Sequence, residues 1–141
     1  MRILMYLMLI AAFGVGSLFM SPVFSHVYSD DLPQAIAAGD EFLRYYSRED
    51  YPDIYRLFDA AFTAKLPRDA IVSQLRKERA MTGALTTPKV AGIHHDITEG
   101  KAYFTIVYSC LGTKGRVSVT MALHQETTWK ISSYSISIAR E

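Results

Sequence analysis

The spacing of apolar residues changes at Gly83, and that change restricts the chain to an α+β arrangement. Before Gly83 they recur at helical intervals; after it they alternate, as in Val117, Val119, Met121 and Leu123 against Ser118, Thr120, Ala122 and His124. Helical segments first and strands last argue for helices packed on an antiparallel sheet, since a parallel sheet would interleave the two.

Each helical segment has a start signal. Asp31 with Pro33 opens the first, which runs to about Ser47 with Ile36, Leu43 and Tyr46 on one face. Asp50 with Pro52 repeats the device, and Ile54, Leu57, Phe58, Ala61 and Phe62 predict one short second helix, with Asp50 and Asp53 as cap and first-turn charges. Pro67 opens a third, which turns Ile71, Leu75 and Thr82 inward and Arg76, Lys77 and Glu78 mostly to water before Gly83 ends it. Val90 to Ile97, Ala102 to Leu111, Gly115 to Glu126 and Trp129 to Ala139 read as four strands. Trp129 and Ile131 share one parity while Tyr134, Ile136 and Ile138 share the other, which predicts a β-bulge near Ser132 and Ser133 and a curved sheet. The expected fold is an N-terminal apolar helix, then three helices packed on a curved four-stranded antiparallel sheet.

Two parts follow from charge. From Ile3 to Phe24 there is no charged residue, a run long enough to cross a hydrocarbon core of about 30 Å. Residues 1–25 therefore read as a transmembrane anchor or as a signal peptide with Arg2 at its start, Gly14, Gly16 and Pro22 in its breaking region, and Val23 and Ser25 at the cleavage positions. Either reading places the domain of residues 32–141 outside the cytoplasm, on the periplasmic or cell-surface side, because Arg2 stays inside while Asp30 and Asp31 lie beyond. Arg2 is one of 15 basic residues, so the remainder balances 14 acidic residues and has no field to gather nucleic acid. Cys110 is the single cysteine, which excludes an internal disulfide and a cysteine-built zinc site, and it reads as a small buried hydrophobe.

No cofactor, metal or nucleophile motif stands out. His94, His95 and Asp96 combine imidazole with carboxylate, but on a strand His94 and Asp96 share one face while His95 joins Ile93 and Ile97 on the other. Two ligands on a face do not close a metal site. The tyrosines suit either a core or the wall of a small-ligand pocket. A ligand-binding reading uses Tyr46, Tyr55, Tyr108 and His95 as polar groups in an otherwise apolar space. Val117, Val119, Met121, Leu123, Trp129 and Ile131, expected to face inward, provide no catalytic acid.

The order of elements, with Phe42-Leu43, Tyr51 to Phe62, Arg79 with Gly83, Tyr103 to Tyr108, and Trp129-Lys130-Ile131 followed by Tyr134, resembles the nuclear-transport-factor-2-like (cystatin-like cone) superfamily, and within it small exported bacterial domains. The resemblance covers about residues 34–140 and implies a helix-lined cone. That superfamily includes ketosteroid isomerase-like and dehydratase enzymes, ligand pockets and interaction modules, so it narrows architecture more than activity. The expectation is a non-enzymatic interaction or accessory module of the cell envelope, whose small-polar face (Ser118, Thr120, Ser133, Ser135, Ser137) meets an envelope protein or a second copy. The rival is a binder of a small apolar ligand, or an acid-base enzyme, using the cone. Residues 3–24 would contact the membrane if uncleaved.

Overall fold

The computed structural model describes residues 31–139. The expected apolar helix of residues 1–25 lies outside them. Among the described residues no helix is long and apolar enough to cross a membrane.

Helix α1 (Leu32–Ser47) buries Ala35, Gly39, Phe42, Leu43 and Tyr46, a stripe of helical period. Ile36, expected on that face, lies at its rim and is only half-buried. Close approach of α1 to the sheet depends on Gly39: a Cβ there would run into the Tyr108 ring and hydroxyl.

The single second helix expected from Ile54 to Phe62 is instead two, α2 (Tyr51–Tyr55) and α3 (Ala60–Lys65). The interruption has a tertiary cause. Ile131 N–H donates to Leu57 C=O at 2.8 Å and Asp59 N–H donates to Ile131 C=O at 2.9 Å, so Phe58 is bridged in parallel to the sheet and its neighbours' backbone groups are withdrawn from a helix. Asp59 then caps α3, accepting the Phe62 N–H at 2.7 Å. Asp50, at the N-cap position of α2, makes no side-chain cap, and Asp53 pairs with Arg56 at 3.4 Å. Helix α4 (Arg68–Thr82) begins after Pro67, buries Ile71, Leu75 and Thr82, and ends at Gly83, whose φ of 72° and N–H bond to Arg79 C=O fit the expected stop.

Strands β1 (Thr86–Thr98), β2 (Lys101–Gly112), β3 (Gly115–Gln125) and β4 (Trp129–Ile138) form an antiparallel meander in that order. β1 starts four residues before the expected Val90. The bulge lies where parity placed it: Leu123 pairs Ile131 while Ala122 pairs Ser133, leaving Ser132 extra, and Ser132 Oγ donates to Ala122 C=O at 3.1 Å. The concave face is packed with Phe104, Ile106, Tyr108 and Cys110 of β2 and Val117, Val119, Met121 and Leu123 of β3, all buried. Phe42, Phe58, Phe62 and Tyr134 join them as a ring cluster with centroids 4.4–6.4 Å apart.

Candidate functional site

The four residues expected to line a pocket are dispersed. Tyr46 (α1) is fully buried, with its hydroxyl 2.7 Å from Thr82 Oγ1, and burial pushes its phenol up to about 12. Tyr108 (β2) is also buried and donates to the Ile36 C=O at 3.1 Å, fastening α1 to the sheet; burial raises its phenol well above the usual range. Tyr55 (α2) is half-buried with the Arg68 guanidinium 5.7 Å from its ring centroid. His95 (β1) is half-buried with its ring 4.9 Å from that of Phe104. Cys110 is buried, which raises its thiol and keeps it unreactive.

Three grooves among the described residues are large enough for a small molecule, and all three are open and superficial. One of about 410 Å³ lies between α1 and the β3–β4 turn, one of about 300 Å³ beside the irregular start of β1, and one of about 330 Å³ between α1 and the segment entering β1. None is lined by Tyr46, Tyr55, His95 or Tyr108.

The alternation in β3 assigned His124 to the solvent face, yet it is 5% exposed. Asp59, held beside β4 by the Phe58 bridge and itself 4% exposed, lies over it with Oδ2 2.7 Å from His124 Nε2. An ionised carboxylate can only accept, so Nε2 carries the shared proton, and Nδ1 is buried with no hydrogen-bond partner among the described residues. Glu126 Oε1 stands 3.9 Å from Nε2 on the exposed side. Carboxylate oxygens of Asp59 and Glu126 and an imidazole nitrogen of His124 fall within 4.8 Å of one another, a donor set that could take a cation only by displacing the proton shared by Asp59 and His124. None of the three lines the grooves above, and the pair has the composition of an acid-base dyad. The one local signal for Asp59 was its position three residues before Phe62, where it could cap a helix.

Glu78 also departs from expectation. It is half-buried, Oε1 accepting from Gln74 at 2.9 Å and from the Tyr134 hydroxyl at 3.4 Å, and burial raises its carboxyl above the ordinary value against those hydrogen bonds. The folded chain thus holds this proton more tightly than the unfolded chain. The stabilisation from protonation is complete below the ordinary glutamate value of about 4.3 and is lost as pH rises through the raised folded value. Glu78→Gln is expected to raise the thermal midpoint at neutral pH and to leave it unchanged at pH below that ordinary value, as read by thermal unfolding across pH.

The convex face of the sheet has a different character. Cross-strand register aligns Ser109, Ser118 and Ser137 in one row, Val107, Thr120 and Ser135 in the next, and Thr105, Ala122 and Ser133 in a third. These side chains are small, uncharged, and half-buried or exposed. Lys89 and Arg116 flank the first row's end, and Asp96, Tyr103, His124 and Lys130 follow the third.

No protein-family model matches the sequence, and neither does any curated protein. Among solved structures the chain is similar to an NTF2-like (nuclear-transport-factor-2-like) family protein from Streptomyces avermitilis, described as a candidate dehydratase, with a TM-score of 0.56 at 17% identity over 80% of this chain and 99% of the other. The fold is NTF2-like. Identity at that level carries the architecture and not the activity. In this NTF2-like cone the space between helices and concave sheet is occupied by Phe42, Tyr46, Phe58, Phe104 and Met121, all at most 4% exposed.

Proposed function

We propose that this protein is a non-enzymatic module of the cell envelope that acts outside the cytoplasm by docking a partner protein on the convex face of its sheet. The observation that carries the reading is the uncharged three-row lattice centred on Thr120. Burying such a surface strips no charge of water and immobilises few long side chains, two of the main costs of association. The packed interior of the cone supports the same reading, as does the uncharged run of residues 3–24 for an extracytoplasmic position. The acid-base alternative has Asp59 and His124 in its favour, and would require the ring to become accessible.

Ser135 is exposed, so Ser135→Arg should leave the fold intact while placing a long charged chain in the docking face. Affinity capture from membranes with the full chain is expected to lose its specific partner by at least about tenfold, at an unchanged thermal midpoint. Undiminished capture would transfer the docking role away from this face. Turnover of a small molecule that His124→Gln abolishes would establish the acid-base alternative.

A further inference from the structure

The His94-His95-Asp96 run lies outside the centre of the convex face, and of the three His95 touches the packed interior, through the ring of Phe104. The run lies on β1, an edge strand of the sheet that pairs only with β2 among the described residues. An edge strand exposes unpaired N–H and C=O groups, which are commonly guarded by proline, lysine or a bulge. β1 carries Pro88, Lys89 and a register shift between Val90 and Gly92, all in its first half. From Gly92 to Thr98 its pairing with β2 is regular, residue for residue against Val107 to Lys101. His95 is the midpoint of that unguarded stretch.

The stretch is complementary to itself. With two copies antiparallel about a two-fold axis through His95, Ile93 opposes Ile97, His94 opposes Asp96 and Gly92 opposes Thr98, each match occurring twice, and opposed residues share a sheet face. Ile93 and Ile97 are 38% and 65% exposed, large apolar side chains that no helix among the described residues covers. On the other face, exposed His94 meets exposed Asp96, imidazole against carboxylate. Other registers lose these matches. A shift of the axis to Ile93 runs into the irregularity at Ala91, and a shift to Ile97 sets His95 against Glu99, outside the strand.

From this self-complementarity we infer that β1 pairs with β1 of a second copy, joining two four-stranded sheets into one continuous sheet. The pairing uses a different surface from the convex docking face and does not rest on it; it sets two such faces side by side.

Cysteine cross-linking of the full chain in detergent tests the register, since Cys110 is only 1% exposed and stays out of the reaction. Directly opposed residues in an antiparallel pair have Cβ atoms about 4.5–5.5 Å apart, near the span of a disulfide. His95→Cys opposes its own copy and is expected to give a covalent dimer on mild oxidation. His94→Cys opposes Asp96 and is expected to give at least about tenfold less. Adding Ile97→Lys, a change at an exposed position, should abolish the His95→Cys dimer and convert the unmodified dimer to monomer in sedimentation at an unchanged thermal midpoint. The exchange His94→Asp with Asp96→His should retain it. Equal cross-linking at both positions, a dimer insensitive to Ile97→Lys, or a wild-type chain that stays monomeric to its solubility limit would overturn the assignment.

Discussion

Replacing Trp129 by alanine is expected to cost about 3–5 kcal/mol of stability, through lost burial and the cavity left behind. Trp129 opens β4 at 7% exposure with its ring centroid 5.5 Å from that of Phe104, and Ile131, two residues on, is fully buried on the same parity. The indole Nε1 is buried without a hydrogen-bond partner among the described residues, so the stabilisation is assigned to the apolar area of the side chain. Trp129→Phe should recover much of the loss. Equilibrium urea unfolding measures both, and a loss under about 1 kcal/mol for alanine would mean that the strand's neighbours close over the gap.

Asp59→Ala is expected to cost about 2–4 kcal/mol, because it removes two things at once. The Phe62 N–H loses its cap, and the buried His124 Nε2 loses its acceptor. Removing both members of a buried polar pair costs less than orphaning one. Asp59→Ala with His124→Phe should therefore lose less than the sum of the two single changes, by about 1 kcal/mol or more in a double-mutant cycle. Additive losses would show that the 2.7 Å contact contributes nothing to stability.

The same pair marks where sequence reasoning stopped. Period-two alternation correctly predicted Val117, Val119, Met121 and Leu123 as buried, because parity in a strand is a local property of the pleat. By that rule His124 belonged to solvent. It is buried by a segment 65 residues earlier in the chain, which no local pattern near either residue encodes. The helix expected across Ile54 to Phe62 failed for a related reason: its apolar spacing is helical, but Leu57 and Asp59 bond to Ile131, and that partner is known only once the sheet has formed. Glu78, expected mostly in water, is half-covered next to Tyr134 of the sheet.

Turn residues, the change of period at Gly83 and the parity break at Ser132 were sufficient to specify a helical half followed by a curved four-stranded meander, since each acts on the backbone within a few residues. Which residues could do chemistry was decided by tertiary packing. Burial and partner choice are set by elements distant in sequence: they closed the cone over Tyr46, tied Tyr108 to α1, covered His124 with Asp59, and left His94, Asp96 and Ile97 on an open edge. An imidazole in a strand has the same local sequence whether it is capped by a carboxylate or exposed at an edge. Only the arrangement of the layers around it distinguishes the two.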